Sequence, residues 1–119
     1  PRNYQQFFQL GESIKKYTPE NTVVCSRKPQ MLYLYSQRPG VNYLFTKDAK
    51  ALITDLVKKD VDLVILDALG YSSTYHYLFP AVQQYPHLFP KIVAHYEDTN
   101  TYLLTFDKAA AKKELHIND

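Results

Sequence analysis

The chain has 119 residues, of which 45% are hydrophobic and 22% charged, so it is long and apolar enough to bury a core. Its formal charge of +2, from 14 basic and 12 acidic residues, argues against a nucleic-acid-binding protein, in which basic residues cluster in excess. The single cysteine, Cys25, excludes an internal disulfide and a cysteine-rich metal site. No window approaches the roughly 18 consecutive apolar residues that indicate a membrane-spanning helix.

The first part of the chain predicts a helix, a strand and a second helix. Aromatic and aliphatic residues at helical spacing predict a helix over Tyr4–Tyr17, which Pro19 ends. The β-branched run Thr22–Ser26 predicts a buried first strand. Proline fits the first turn of a helix, so Pro29–Ser36 is predicted to be a short helix.

The middle of the chain continues the alternation. Val41–Phe45 predicts a second strand, and Thr46 or Asp48 is suited to cap the helix that follows. Val61–Leu66 is apolar at nearly every position, which is typical of a strand buried on both faces of a parallel sheet. The apolar face of the intervening helix consists of Ala49, Leu52, Ile53, Leu56 and Val57.

The last part of the chain predicts a broken helix and a hairpin. Ser72–Thr74 offers caps for a helix that Pro80 should kink or restart. Lys91–Tyr96 and Thr101–Asp107 are strand-like around a polar four-residue link, which predicts an antiparallel hairpin. The tail Ala109–Asp119 has helix formers but little apolar surface, so we expect it to fray.

The order of these elements predicts the fold class. Alternating helices and strands imply parallel strands joined by right-handed crossovers. We therefore expect one α/β domain over residues 1–119, a three-layer α/β/α, Rossmann-like arrangement. Its mostly parallel sheet would have the order 2-1-3 and be extended by the C-terminal antiparallel hairpin. The chain starts at Pro1 instead of Met, and its first helix resembles one that continues from a preceding segment. We therefore also expect this sequence to be a fragment of a longer protein.

A candidate ligand site follows from that topology. Ligands of such sheets bind beyond the carboxyl ends of the strands, where the strand order reverses. The candidate ligand-binding residues are Ser26, Arg27, Lys28, Arg38, Asp67, Tyr71 and Thr74. Cations beside the helix that begins near Pro29 suit an anion, because free N–H groups and the helix dipole favour negative charge. Two alternatives stay open: Arg27 and Asp67 pair with each other and hold the loops, or they have no special role.

The sequence lacks the motifs that several other kinds of functional site require. Neither a dinucleotide-binding nor a P-loop glycine pattern is present. The cations at Ser26–Lys28 stand where a receiver domain would need acids to hold Mg²⁺. The four histidines fall on different elements at no ligand spacing. We therefore expect no metal, no cofactor and no catalytic residue in this chain.

Short motifs along the chain are similar to those of one known family. They are Ser26–Pro29 at the end of the first strand, Leu32-Tyr33 with Ser36 and Arg38, the run Val61–Asp67, Thr74-Tyr75 with Leu78 and Pro80, and Phe89 before the closing strand pair. Over most of Thr22–Phe106 the chain resembles the C-terminal, non-membrane portion of bacterial multi-spanning glycosyltransferases. These enzymes belong to the protein O-mannosyltransferase-like (GT-C) superfamily.

The resemblance implies an accessory domain that is non-catalytic by itself. Its parent would be a membrane enzyme that moves a sugar from a polyprenyl-phosphate carrier to an acceptor. The domain would lie on the extracytoplasmic (periplasmic) face of the inner membrane, with the membrane part of the same chain as its partner. The catalytic acids of that superfamily lie on loops between membrane helices, a region this sequence lacks, so none is assigned here. Two other functions remain open: binding of a small anionic ligand, or protein interaction through exposed tyrosines or the hairpin edge.

Overall fold

A five-stranded mixed sheet organises the chain in the computed structural model, which describes residues 2–67 and 72–118. Its strands are β1 (Val24–Cys25), β2 (Gly40–Val41), β3 (Leu63–Asp67), β4 (Ile92–Tyr96) and β5 (Thr101–Thr105), in the order β2-β1-β3-β5-β4. β1 is parallel to β2 and β3, whereas β5 is antiparallel to β3 and β4. The mixed α/β class and the C-terminal antiparallel hairpin were both predicted correctly.

Helices connect these strands. They are α1 (Arg2–Tyr17), α2 (Pro29–Ser36), α3 (Ala49–Lys58), α4 (Phe79–Gln84) and α5 (Lys108–Leu115). A π-helix (Thr74–Leu78) runs directly into α4, and a 3₁₀ turn (Pro86–Leu88) precedes β4. Of the two predicted caps for α3, Asp48 is the one used, because its carboxylate accepts the Ala51 N–H at 3.1 Å.

β3 is buried on both faces, as its continuous apolar run predicted. Strand side chains alternate between faces, so β3 contributes to two hydrophobic clusters. Leu63 and Ile65 belong to a cluster with residues of α1 and α2, namely Leu10, Ile14 and Leu32. Val64 and Leu66 belong to a larger cluster with α3, α4 and α5, which includes Leu52, Leu56, Ala81, Ala111 and Leu115.

The first two strands are shorter than predicted, and the prediction of a strand over Val41–Phe45 is wrong beyond Val41. Side chains take the backbone donors that a longer ladder would need. The Tyr43 N–H bonds the Asn42 side-chain oxygen at 2.8 Å, and the Leu44 N–H bonds Asp55 Oδ2 at 2.9 Å. Such local side-chain bonds compete with strand pairing.

The predicted fraying of the tail is also wrong, because residues 108–115 form α5. Asp107 caps this helix by accepting the Ala110 N–H at 2.9 Å. Ala111 and Leu115 are buried in the larger cluster. The ammonium of Lys108 contacts Asp60 Oδ1 at 2.6 Å and Asp62 Oδ1 at 2.7 Å, which ties α5 to the start of β3.

Pro80 restarts the helix through a change of helix type. The Phe79 N–H reaches back five residues to the Thr74 carbonyl, which closes the π-helix. Pro80 then lies in the first turn of α4, where its missing N–H is not needed.

Gly11 sets the distance between α1 and α2. A Cβ atom added at Gly11 would lie 2.5 Å from the Cβ of Tyr35, which is closer than carbon atoms can pack. Glycine in a helix interior costs about 1 kcal/mol relative to alanine. The close approach of the two helices explains why glycine stands there.

Replacing Gly11 by alanine is therefore expected to destabilise the protein. The clash with Tyr35 should outweigh the gain in helix propensity and lower the free energy of unfolding by about 1–3 kcal/mol. Urea denaturation measures the change, with Gln9→Ala on the exposed face of α1 as a control that stays within about 0.5 kcal/mol. A more stable Gly11→Ala variant would contradict the close packing of α1 on α2.

Candidate functional site

The carboxyl ends of β1, β2 and β3 lie at one edge of the sheet, here called the carboxyl edge. The hairpin reaches the same edge, because Thr101 of β5 pairs with Asp67 and Tyr96 of β4 pairs with Thr101. Arg27 follows β1 at this edge, Tyr43 follows β2, and Asp67 ends β3. These are the positions at which open α/β sheets bind ligands.

Arg27 and Asp67 come together at this edge. Arg27 Nε lies 3.5 Å from Asp67 Oδ2, and the two side chains are 23% and 9% exposed. That distance is long for a hydrogen bond, and the contact lacks hydrogen-bond geometry. Within the described residues, Arg27 Nε and Asp67 Oδ1 are buried atoms without a hydrogen-bond partner. The pair is therefore electrostatic and leaves one carboxylate oxygen unsatisfied.

A small pocket of about 60 Å³ lies beside Asp67. It is lined by Leu66, Asp67, Thr74, Tyr75, Phe79, Asn100 and Tyr102. The Tyr75 and Phe79 rings stack with centroids 6.2 Å apart, and Tyr102 stacks on His95 with centroids 4.0 Å apart. The pocket thus combines a buried carboxylate with aromatic walls.

Tyr43 links the loop after β2 to the π-helix. Its hydroxyl lies 2.6 Å from Ser73 Oγ and 3.0 Å from Thr74 Oγ1. Burial raises the pKa of Tyr43, and the nearby charge of Asp67 adds to this increase, whereas the two hydroxyl contacts oppose it. The Tyr43 phenol therefore acts as a neutral hydrogen-bonding group that holds Thr74 in place.

Ser26 and Lys28 shape the turn into α2. Ser26 is buried, and its Oγ accepts the Lys28 N–H at 3.1 Å. Pro29, the first residue of α2, has no N–H, so Gln30 and Met31 carry the remaining donors of the first turn. Fewer donors than usual are thus available for an anion at this helix end.

Arg38 lies apart from the other candidates, at the amino end of β2. α2 carries the chain across the sheet, so the loop before β2 is at the opposite edge. The guanidinium contacts the Lys15 and Thr18 carbonyls at 2.7 and 2.8 Å and Thr18 Oγ1 at 3.0 Å. It also contacts the Ser36 and Gln37 carbonyls at 3.4 and 3.2 Å. All five N–H donors of arginine have an acceptor, so Arg38 joins the ends of α1 and α2.

The remaining predicted site residues are Thr74 and Tyr71. Thr74 lines the pocket, whereas Tyr71 lies outside the described residues. Sequence reasoning missed Tyr43 and Asn100 as residues of this edge. Tyr43 was assigned to a strand, and nothing in the sequence indicated that the hairpin turn would bring Asn100 beside Asp67.

The described parts of the chain offer no metal site. Among residues 2–67 and 72–118, no group of three or more His, Cys, Asp and Glu side chains is placed to hold a metal ion. No helix described in the structure is both long and apolar enough to cross a membrane.

Comparisons with known proteins found no match to this chain. No protein-family model matches it, and no similar protein was found among curated proteins or solved structures.

Cys25 lies in β1 directly before Ser26. The reactivity of its thiol therefore reports how tightly β1 is packed beneath the carboxyl edge. The thiol is fully buried, and this burial raises its pKa from 9.0 to about 12. The folded protein therefore keeps the thiol proton at pH values where the unfolded chain has lost it. The resulting stabilisation is complete below pH 9.0 and is lost as the pH rises towards 12.

We expect Cys25 to resist a thiol reagent at pH 9.0 in the folded protein and to react in urea. Above that pH, the free energy of unfolding should fall more steeply in the wild type than in Cys25→Ala, which lacks the titrating thiol. Labelling kinetics and urea denaturation as a function of pH measure the two effects. Rapid labelling of the folded protein would contradict the packing of β1.

Proposed function

We propose that this chain is an accessory domain of a membrane glycosyltransferase-like protein and is non-catalytic by itself. In this proposal the domain has a Rossmann-like, three-layer arrangement and lies on the extracytoplasmic face of the inner membrane. Its partner is the membrane part of the same parent chain, which transfers a sugar from a polyprenyl-phosphate carrier. The resemblance over Thr22–Phe106 supports the family, and the two hydrophobic clusters that share β3 support the layered arrangement.

The observation that carries the proposal is an exposed aromatic patch at the carboxyl edge, defined here as Leu44, Phe45 and Tyr77. Phe45 stacks on Tyr77 with centroids 5.4 Å apart and an interplanar angle of 15°. Leu44 and Phe45 are 45% and 55% exposed. Lys47 Nζ lies 5.9 Å from the centre of the Tyr77 ring. Exposed aromatic side chains beside lysine are typical of surfaces that meet a membrane interface or a partner.

The position of α1 agrees with docking through this edge. Thr99, in the hairpin turn, donates a hydrogen bond to Gln6 in the first turns of α1, so this helix begins at the carboxyl edge. In the proposed parent protein, the segment before α1 would join the domain on the same side as the aromatic patch.

The polar groups at this edge favour a non-catalytic role. Asp67 is already paired with Arg27, and the pocket beside it holds about 60 Å³. Glycosidic chemistry ordinarily uses two carboxylates on opposite sides of the scissile bond. Among the described residues that line this pocket, Asp67 is the one carboxylate.

The size and location of the native protein test the proposal. An antibody against the domain should detect, in fractionated source cells, a membrane-bound band several times larger than 13.9 kDa. Washing the membranes with alkaline carbonate should leave an integral parent chain in place. A band near 13.9 kDa outside the membrane fraction would overturn the proposal. It would instead favour an interaction module that uses the exposed edge strand β4, where Ile92 and Val93 are 62% and 57% exposed.

The aromatic patch predicts a second result in the full-length protein. Phe45→Glu should lower sugar transfer from the polyprenyl-phosphate carrier about tenfold, because it places a charge where an apolar contact is expected. Leu34→Glu is the matched control, since Leu34 is 71% exposed on α2, outside the patch, and should leave transfer unchanged. Equal activity of the two variants would show that the patch does not dock. Sugar transfer by the isolated domain would contradict its non-catalytic role.

A further inference from the structure

We propose that two copies of this chain associate through β4, with the two β4 strands antiparallel and the two sheets joined into one. The resulting dimer is symmetric, because each copy presents the same strand to the other. The inference concerns an interaction of the chain itself. It goes beyond the proposed accessory role and does not depend on it.

The first step is the position of β4 in the sheet. β4 is the last strand in the order β2-β1-β3-β5-β4, and β5 is its one neighbour among the described residues. The outer side of an edge strand offers backbone N–H and C=O groups to another strand. Ile92 and Val93 are 62% and 57% exposed, so the start of β4 is open to solvent.

The second step is that the usual protection of an edge strand is weak here. Native edge strands commonly carry a charged residue or a proline, or are covered by a helix or loop. Ile92–Tyr96 contains no lysine, arginine, acidic residue or proline. α1 leaves the edge uncovered, because a groove of about 410 Å³ lies between Tyr17 of this helix and Val93 and Ala94 of the strand.

A β-bulge limits the length of the contact. The register of β4 against β5 shifts between Ile92 and Ala94, which places the bulge at Val93. A bulge bends its strand and disturbs regular pairing. Regular pairing with another strand is therefore confined to the part of β4 that follows the bulge, so the contact is short and association is weak.

The third step is charge, which indicates a second copy as the partner. Lys91 directly precedes β4, and Glu97 and Asp98 follow it. In an antiparallel pair, the start of one strand lies beside the end of the other, so each Lys91 approaches the acidic end of the other copy. A parallel pair would place like charges side by side, which is destabilising. β4 is thus complementary in charge to a second β4 in the antiparallel direction.

Sedimentation velocity of the isolated chain tests this inference. The wild type should pass from monomer to dimer as its concentration rises. A dissociation constant between about 10 µM and 1 mM is expected, because the contact is small. NMR spectra of the isotope-labelled chain, recorded on dilution over the same range, should show the largest amide shifts in residues 91–98.

A charge placed on the edge should weaken the dimer. Val93→Lys puts a lysine on the contact surface of both copies, and like charges across an interface repel. We expect the dissociation constant to rise at least about tenfold. Leu34→Lys is the matched control, because Leu34 is 71% exposed on α2, which connects β1 to β2 away from β4. This control should leave the dissociation constant unchanged.

Exchange of the flanking charges tests the antiparallel direction. Lys91→Glu and Glu97→Lys should each weaken dimerisation about tenfold, because each places like charges at both ends of the contact. Mixed in equal amounts, the two variants should associate about as strongly as the wild type, since the acidic variant then meets the basic one at both ends. Both side chains are exposed, so the variants are expected to fold.

Three outcomes would overturn the inference. One is a wild-type chain that stays monomeric at about 1 mM. Another is a Val93→Lys variant that dimerises as strongly as the wild type, which would place the contact elsewhere. The third is a mixture of the two charge variants that remains monomeric, which would exclude antiparallel pairing of β4. Because these measurements use the chain alone, their failure is distinct from failure of the membrane-fraction experiment.

Discussion

Burial of β3 on both faces is the constraint on which the rest of the structure depends. Its side chains alternate, so Leu63 and Ile65 must be covered on one side and Val64 and Leu66 on the other. One hydrophobic cluster joins β3 to α1 and α2, and the other joins it to α3, α4 and α5. The fifth residue of the strand, Asp67, is drawn into the same burial, although it is charged. The candidate site is thus a consequence of the strand that organises the core.

The two edges of the sheet differ in the hydrogen bonding of their buried polar groups. At the amino edge, Arg38 satisfies its five donors on the ends of α1 and α2. Asp62 there uses Oδ2 for the Val23 N–H at 2.9 Å and Oδ1 for Lys108. At the carboxyl edge, by contrast, Asp67 Oδ1 and Arg27 Nε lack hydrogen-bond partners within the described residues. The amino edge therefore stabilises the fold, and the carboxyl edge retains polar groups for which the fold supplies no partner.

Sequence patterns predicted the features that depend on local chemistry. The apolar run before Asp67, the proline at the start of α2 and the cap at Asp48 each gave the correct element. The patterns failed where distant side chains decide the structure. Residues 43–45 look like a strand, but Asn42 and Asp55 take their backbone donors.

Contacts between residues far apart in the chain also decide the structure of the tail and of the candidate site. α5 has little apolar surface of its own, and burial of Ala111 and Leu115 stabilises it. Arg27 and Asp67 could be placed together because both follow strands of a parallel sheet. Arg38 was misplaced because it precedes the second strand, and a parallel crossover returns the chain to the amino edge of the sheet. Asn100 and Tyr43 belong to the edge through contacts between residues far apart in the chain, which no spacing rule reveals.

A buried ion pair with an unsatisfied oxygen is a costly way to build a strand end. Replacing such a pair by apolar residues is often neutral or stabilising, so stability alone does not account for Arg27 and Asp67. The fold places the pair where β3 leaves the core, at the edge where open α/β sheets bind ligands. In the accessory role that we propose, this edge would serve for recognition, and the chemistry would be carried out by another part of the parent protein.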